Sequence, residues 1–496
     1  MNLRSLARPV LPLTILPLAV AAFAAAPFRA DTLCLKDGRI IEGKPLTREG
    51  ESIRIKFENG EVVVPKEMVL DVLIDSEAAD AAKGAAIAKR IAERKAYIEQ
   101  VKLLGEWRNR KKESTAHFDF ESTVPPHIFT GYRDLMEAYF TDFAKKWKVS
   151  IPKGSKLTVC FYGREDEFHQ VGGVSRGVLG YFKPWTPYEL NIYYDRSDPA
   201  LSEDVMFHEA NHYLQKLLNV SFDMPHFPGE SLAEYYGASH WDAKTKKLSI
   251  GLIQEGRLAE VQNDVAGGNM FPLEKMLNGA TDRSMYEHYT WGWSFVHFLM
   301  NRDKYAAKFQ RFVSTLANGK DVKRGPPSGN DNVSGVESEE VVRVFMKCLE
   351  LKDKAALAAL EKEWHAYVKN DLKTDSLRGV EMAGLQVAMG SFPARPLRAT
   401  KLLKAAVEKG SRNPQIYARL ADLVESGEGG DKADPKAAID LLKKSIDLDP
   451  LAADTYADLG RLYQREGKKE EGKKLLLLAR ELDPDNPWLE WTLRDR

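Results

Sequence analysis

The residues of this chain best suited to chemistry form the pentapeptide His208-Glu209-Ala210-Asn211-His212. Two histidines four positions apart lie one turn apart on the same face of a helix, so both imidazoles can reach one metal ion. A catalytic zinc site uses three protein ligands and leaves the remaining position to water. The glutamate after the first histidine can accept a proton from that water. The pattern therefore predicts a zinc site with His208 and His212 as ligands and Glu209 as general base.

A second motif supplies the third ligand. It reads Gly-Glu-Ser-Leu-Ala-Glu-Tyr from Gly229, and seventeen residues separate His212 from Glu230. We predict that Glu230 binds zinc. Glu234 lies one helical turn further on, where its carboxylate can accept the N–H of a ligating histidine and fix its tautomer. The two glutamates could exchange these roles, and the preceding loop holds two alternative ligands, Asp223 and His226.

The order of these motifs resembles that of the gluzincin metallopeptidases. In the aminopeptidase N-like branch, HExxH is followed at a comparable distance by an Asn-Glu-Gly-Phe-Ala type motif whose glutamate binds zinc, and residues 229–233 are similar to it. Gly stands here in place of Asn, and Ser in place of Gly. The resemblance implies a zincin-like α+β fold, Zn²⁺ as cofactor and hydrolysis of peptide bonds by metal-activated water.

The resemblance also implies a catalytic role for a tyrosine. In the same branch, a downstream Tyr-x-x-Gly motif donates a phenol hydroxyl to the tetrahedral intermediate, and Tyr289-Thr290-Trp291-Gly292 begins 59 residues after Glu230. By this resemblance Tyr289 is the candidate oxyanion donor. Tyr286 is the alternative, and a purely structural tyrosine in the core is the third interpretation.

Two further comparisons of motifs narrow the class of enzyme. The Gly-Ala-Met-Glu-Asn motif that binds the substrate amine in the aminopeptidases does not occur before His208, so an endopeptidase or another hydrolase stays open. Metzincins are excluded because Gln215 and Leu218 stand where their glycine and third histidine would be.

Residues 115–375 most resemble uncharacterised exported bacterial proteins that share the order HExxH, Glu-Gly-Leu-Ala-Glu-Tyr and Trp-Ser-Phe-Val-His-Phe-Leu.

The elements around these motifs predict an α+β domain. Residues 132–147 are amphipathic with aromatic anchors, whereas residues 157–162, 177–182 and 189–194 have the composition of strands. The HExxH helix follows, and the region then stays mostly helical. The strand at 191–194 could form the edge that pairs with an extended substrate, or it could be an ordinary core strand.

The residues before this domain predict export and a small β module. Residues 1–30 begin with Arg4 and Arg8, followed by an apolar run, as in a secretory signal peptide. A membrane anchor is the alternative, but the run is short and broken by prolines, so no stable membrane span is expected. Hairpin signals at Asp37-Gly38 and Asn59-Gly60 predict a small SH3-like barrel.

Residues 395–496 are predicted to form tetratricopeptide repeats. Residues 453–484 follow the pattern of aromatic, Leu-Gly, Tyr, small, large apolar, Ala and Pro. The matching positions are Tyr456, Leu459, Gly460, Tyr463, Gly472, Leu476, Ala479 and Pro484. Such an array presents a concave face to a protein partner, or it caps the catalytic domain.

The composition and length of the chain limit its partners, its disulfides and its number of domains. The 496-residue chain has 72 Lys and Arg against 72 Asp and Glu, so no net basic field is available to hold nucleic acid. Three distant cysteines allow one disulfide at most. The length predicts about two to four domains. Their predicted order is a signal peptide (1–30), an SH3-like β module (31–75), a helical linker (76–114), a gluzincin-like metallopeptidase domain (115–375) and tetratricopeptide repeats (395–496).

These features predict an exported, periplasmic or secreted, zinc metallopeptidase that acts on a peptide or protein substrate. Two alternatives stay open. One is a non-catalytic binding protein in which the repeats recruit partners, and the other is a zinc hydrolase that acts on a non-peptide bond.

Overall fold

The computed structural model of the protein describes residues 31–74, 84–196, 198–327, 333–372, 376–390, 396–484, 486 and 489. The predicted signal peptide therefore lies outside the described residues. Helices make up 56% and strands 13% of the structure. Because the strands precede most of the helices along the chain, the protein belongs to the mixed α+β class.

Thirteen strands occur in the described part of the chain. They are β1 (Thr32–Leu35), β2 (Ile40–Glu42), β3 (Leu46–Glu49), β4 (Ser52–Lys56), β5 (Glu61–Val64), β6 (Val69–Leu73), β7 (Lys111–Ser114), β8 (Phe118–Ser122), β9 (Leu157–Tyr162), β10 (Gly180–Lys183), β11 (Glu189–Tyr193), β12 (His240–Asp242) and β13 (Lys247–Ser249).

Seventeen α-helices occur in the same residues, and none of them combines the length and apolar character that crossing a membrane requires. They are α1 (Gly84–Leu104), α2 (Pro126–Trp147), α3 (Glu165–Gly172), α4 (Pro199–Lys216), α5 (His226–Gly237), α6 (Glu255–Ala266), α7 (Leu273–Asn278), α8 (Glu287–Met300), α9 (Asp303–Asn318), α10 (Ser338–Leu349), α11 (Lys354–Asn370), α12 (Leu377–Gly390), α13 (Pro396–Glu408), α14 (Pro414–Ser426), α15 (Pro435–Leu448), α16 (Ala453–Arg465) and α17 (Lys469–Leu482).

The N-terminal module, residues 31–74, contains two separate three-stranded sheets. In one, β1 lies between β2 and β6, and in the other, β4 lies between β3 and β5. Side chains from both sheets, including Leu33, Ile55 and Val64, form one buried cluster. Among the described residues no strand ladder joins the two sheets, so the prediction of a closed SH3-like barrel is wrong.

The physical reason is that helices complete the core of this module. Leu478 of α17 belongs to the same buried cluster, and a Cβ atom on Gly60 would lie 3.0 Å from its Cδ2 atom. Glu481 of α17 accepts hydrogen bonds from the backbone N–H groups of Glu58 and Asn59, each at 3.0 Å. Because the helices supply the apolar partner, the two sheets bury their inner faces without closing on each other.

A five-stranded sheet forms the base of the central region, in the order β10-β11-β9-β8-β7. The strands β11, β9 and β8 run parallel to one another, and the edge strands β10 and β7 are antiparallel to their neighbours. β7 lies inside the segment predicted as a helical linker. Alternation along β9 directs Val159 and Phe161 into the main core and Cys160 and Tyr162 towards α3 on the other face.

The main core lies between this sheet and the helices that follow it. α4 packs on β10 and β11, α2 lies beside α4, and α5 lies against both α4 and α8. Large side chains such as Phe207, Tyr213 and Trp293 are fully buried there. This packing brings together the two helices that carry the predicted metal-binding motifs.

The described residues after 376 form helical pairs. α12 packs on α13, α14 on α15 and α16 on α17. In the last pair, a Cβ atom on Gly460 would lie 2.9 Å from the Gly472 carbonyl oxygen, so the two small residues allow the helices to approach closely. Successive helical pairs of this kind are the architecture expected of a repeat array, and the assignment to tetratricopeptide repeats stays a prediction.

Candidate metal centre

Two buried polar side chains fix the HExxH helix, α4, in its place. Asn211 is fully buried, and its Nδ2 atom donates a hydrogen bond to the Tyr139 hydroxyl at 2.8 Å. Gln215 donates through Nε2 to the carbonyl oxygen of Gly229 at 2.9 Å. Since Gly229 immediately precedes Glu230, this second bond ties the histidine helix to the start of the glutamate motif.

Two glycines let α5 lie close to its neighbours. A Cβ atom on Gly237, the last residue of α5, would lie 3.5 Å from the His208 Cβ atom. On the other side, a Cβ atom on Gly292 of α8 would lie 2.1 Å from Ser231 Oγ. The glycine of the Tyr-x-x-Gly motif is therefore needed for close packing of α8 on α5 beside Glu230.

His208, His212 and Glu230 bring their ligand atoms together. The two Nε2 atoms lie 3.2 Å apart, and Glu230 Oε2 lies 3.4 Å from each of them. One ligand atom from each residue lies within 4.8 Å of the others, a spacing that suits one ion with bonds of about 2.0–2.2 Å. Within the described residues, no other group of three His, Cys, Asp or Glu side chains has this geometry.

The ligand residues also interact strongly through their charges. Burial lowers the pKa of His208, but the hydrogen bond with Glu230 and the charges of Glu234 and Glu209 outweigh it and raise the pKa to about 9. Burial raises the pKa of Glu230, but His212 and His208 outweigh it and hold the pKa well below its usual range. In the metal-free protein, His208 therefore carries a proton that a metal ion must displace.

We expect zinc binding to release about one proton from His208 at pH 7, because only the neutral imidazole binds metal. Titration calorimetry in buffers of different ionisation enthalpy measures this number. The raised pKa also sets the sign of the pH dependence: zinc affinity should fall about tenfold per unit as the pH drops below 9. Zinc affinity that is constant between pH 6 and 8 would contradict the raised pKa of His208. His240→Ala, at an exposed histidine, is the control.

Glu234 lies behind His208 and is held there by an arginine. Its Oε1 atom is 3.5 Å from His208 Nδ1. Arg257 of α6 donates to both of its carboxylate oxygens, at 2.7 and 3.0 Å, and donates to the Tyr286 hydroxyl at 2.8 Å. Arg257 was not among the residues that the motifs indicate, because no spacing relates it to the histidines and only the fold brings it here.

The geometry distinguishes the two candidate tyrosines. The ring of Tyr289 stacks on that of His208, with centroids 6.3 Å apart. The hydroxyl of Tyr286 is engaged elsewhere, since it bonds Arg257 and also donates to Glu260 at 3.2 Å. Burial, followed by nearby carboxylates, raises the pKa of Tyr289. Its hydroxyl therefore stays protonated and can donate a hydrogen bond.

The structure does not bring the two alternative ligands into the cluster. Asp223 forms an ion pair with Lys216 at 2.7 Å. His226 Nδ1 lies 2.6 Å from Nδ1 of the fully buried His288. The ring of His226 nevertheless lies 5.6 Å from that of Tyr289, so this histidine lines the same region without joining the ligand set.

The strand β10 passes close to the candidate base at Gly180. β11 lies inside the sheet, between β10 and β9, so the interpretation of residues 191–194 as a substrate-binding edge is wrong. The sheet ends at β10, where a Cβ atom on Gly180 would lie 3.4 Å from Glu209 Cγ. The sequence shows strands but not their order, and the order of the strands decides which one lies at the edge of the sheet.

We expect Gly292→Ala to destabilise the protein by about 1–3 kcal/mol and to weaken zinc binding, because the new methyl group must displace Ser231 and with it α5. Thermal unfolding and zinc titration measure the two effects. Gly131→Ala is the matched control: Gly131 lies in α2, and a Cβ atom there meets nothing within 4 Å. That change should stabilise the protein by up to about 1 kcal/mol. Equal behaviour of both variants would contradict the packing argument.

No protein-family model and no curated protein matches this chain. The resemblance to gluzincins therefore rests on the sequence motifs and stays a prediction.

Proposed function

We propose that this protein is an exported zinc-dependent peptidase of gluzincin type. His208, His212 and Glu230 would hold Zn²⁺, Glu209 would act as general base and Tyr289 as oxyanion donor. The observation that carries the proposal is the convergence of two imidazole nitrogens and one carboxylate oxygen within 4.8 Å. Glu209 directly follows the first of these histidines in the HExxH motif.

The chemistry of the donor atoms fits zinc. Two histidines and one glutamate form a ligand set that catalytic zinc sites use, with a position left for water. Hard cations such as Mg²⁺ and Ca²⁺ prefer oxygen ligands alone. The carboxylate of Glu234 beside His208 Nδ1 supports the same assignment, because metal-binding histidines are commonly oriented by a carboxylate behind them.

Each residue of the site has a distinct role in the proposed reaction. When bound, Zn²⁺ supplies a Lewis acid that lowers the pKa of water to about 7 and polarises a carbonyl group. Glu209 accepts a proton from the attacking water and returns it to the leaving nitrogen. Tyr289, which is protonated and stacks beside His208, donates a hydrogen bond to the negative charge that develops on the carbonyl oxygen.

The position of β10 at the edge of the sheet supports a peptide substrate. β10 ends the sheet and passes close to Glu209 at Gly180. An extended peptide can add to such an edge through main-chain hydrogen bonds. This arrangement favours polypeptide substrates over small non-peptide esters or amides, which have no repeating backbone to pair with the strand.

One observation supports the alternative of a non-catalytic binding protein. A groove of about 470 Å³ lies between α14 and α16 and is lined by Asp422, Glu425, Ser426, Asp458, Arg461 and Arg465. A groove between helices of successive pairs is a place where repeat arrays bind partners. Under the main proposal, this groove recruits a partner or substrate to the metal site.

Measurement of bound metal tests the proposal. The protein, purified without chelators, should contain one zinc ion per chain as measured by inductively coupled plasma mass spectrometry. The His208→Ala variant should contain almost none. The same preparations are then assayed on a fluorogenic peptide library. Equally low zinc in both proteins would contradict the metal centre. Zinc in the wild type without hydrolysis of any peptide would favour the binding-protein alternative or a non-peptide substrate.

A further inference from the structure

Two arginines of the C-terminal helical array form ion pairs with helices that build the candidate metal centre. Arg378 of α12 lies 3.4 Å from Asp204 in the HExxH helix. Arg398 of α13 lies 3.7 Å from Glu260 in α6, the helix that also carries Arg257. The array therefore contacts both the helix that holds the histidines and the helix that holds the arginine behind them.

Arg257 faces two carboxylates at once. It binds Glu234 in a bidentate manner, with bonds of 2.7 and 3.0 Å, and its Nη1 atom lies 3.9 Å from Glu260 Oε1. The bond to Glu234 orients the carboxylate that faces His208 Nδ1. Any shift of the guanidinium towards Glu260 would therefore loosen Glu234 and, through it, the ligand His208.

Glu260 is a strong competitor for Arg257 unless another cation neutralises it. Its side chain is 2% exposed, and a buried carboxylate without a counter-charge is costly. Arg398 supplies that second cation at 3.7 Å, and its Nη2 atom also donates a hydrogen bond to the Glu260 carbonyl oxygen at 3.0 Å. The Tyr286 hydroxyl donates a further bond to the carboxylate.

From this arrangement we infer that Arg398 is a positioning residue of the metal centre. Because Arg398 neutralises Glu260, Arg257 stays bound to Glu234, and Glu234 in turn holds His208 in place. The array thus helps to set how firmly the site retains its metal. This inference rests on the proposed function, since it needs His208 to be a zinc ligand.

Zinc dissociation from the full-length protein tests this role. Arg398→Met keeps much of the side-chain volume and removes the charge, and we expect it to lose zinc to an excess of the chelator 4-(2-pyridylazo)resorcinol about tenfold faster than wild type. In the double variant Arg398→Met, Glu260→Gln, the competitor for Arg257 is neutral. We therefore expect its zinc dissociation rate to return to within about threefold of the wild-type rate.

The rescue separates positioning from simple packing, because a purely structural role of Arg398 would not be restored by Glu260→Gln. The visible spectrum of the cobalt-substituted protein should change in Arg398→Met and recover in the double variant. Arg398→Lys, which keeps the charge, should retain zinc as wild type does, and so should Arg419→Met, which removes an exposed ion pair with Asp422 in the array.

Two results would overturn the inference. One is equal zinc dissociation from Arg398→Met and wild type, and the other is a failure of Glu260→Gln to restore retention in the Arg398→Met background. If Arg398→Met does not fold, as seen by circular dichroism, the comparison is made between Arg398→Lys and Arg398→Gln, of which only the latter should lose zinc faster. A wild-type chain that binds no zinc would overturn this inference and the proposed function together. Zinc that dissociates equally from all variants would overturn the inference alone.

Discussion

Replacing Glu209 by glutamine is expected to leave zinc bound and to reduce peptide hydrolysis about 10²- to 10⁴-fold, the range that a general base contributes. Glutamine has the same shape but cannot accept the proton of the attacking water. His208, His212 and Glu230 are unchanged in this variant, so the loss should appear in kcat with little change in metal content or thermal stability. Metal analysis and steady-state kinetics on the same preparation measure both quantities.

The matched control for this experiment is Glu274→Gln, which removes the same charge from an exposed ion pair with Lys354. It should retain wild-type kinetics. If Glu209→Gln keeps its zinc and hydrolyses peptides at the wild-type rate, the assignment of Glu209 as base is wrong although the metal centre is real. If it loses zinc, the side chain supports the site in a way that the geometry does not indicate.

Replacing Ile55 by alanine is expected to destabilise the N-terminal module by about 2–5 kcal/mol and to destabilise α16 and α17 with it. Ile55 is fully buried in the cluster that includes Tyr456 and Leu478. Because sheets and helices share one core, a cavity on the sheet side removes contacts from the helices as well. Hydrogen exchange should therefore rise in residues 53–64 and in residues 469–482 together.

Val63→Ala is the control for this prediction. Val63 lies on the neighbouring strand β5 but is 38% exposed, so its truncation should change the free energy of unfolding by no more than about 0.5 kcal/mol. Faster exchange in the strands of Ile55→Ala, with unchanged exchange in α17, would show that the two segments fold independently. That outcome would contradict the shared core.

Local spacing makes the residues at the candidate site predictable from the sequence. His208 and His212 depend only on the period of a helix, and the structure brings their Nε2 atoms within 3.2 Å of each other. Glu230 follows on the next helix, which short connections place alongside. Such residues can be identified because regular helix geometry determines where their side chains lie.

The supporting residues could not be predicted in this way. Arg257 and Arg398 lie on helices whose positions depend on tertiary packing, and neither stands at a characteristic distance from the histidines along the chain. The pair His226 and His288 is similar, since the two residues lie 62 positions apart in the sequence and their rings are in direct contact. Long-range packing of this kind leaves no periodic signal in the sequence.

The packing of the N-terminal sheets was likewise not predictable from local sequence patterns. The turn signals at Asp37-Gly38 and Asn59-Gly60 correctly mark the turns between β1 and β2 and between β4 and β5. They carry no information about what covers the inner faces. Short strands joined by hairpin turns within so few residues predict a small barrel, whereas here α17 covers the inner faces of two separate sheets.

The shared core of the N-terminal sheets and the last helices has a consequence for biosynthesis. Arg39 donates a hydrogen bond to the carbonyl oxygen of Leu451, 412 residues further along the chain, so the apolar faces of β1 to β6 are covered only after the residues of α16 and α17 have been synthesised. A nascent or truncated chain would expose those faces and unpaired strand edges, which invite aggregation and proteolysis. A chain that stops before residue 451 is therefore expected to be degraded faster than one that contains α16 and α17.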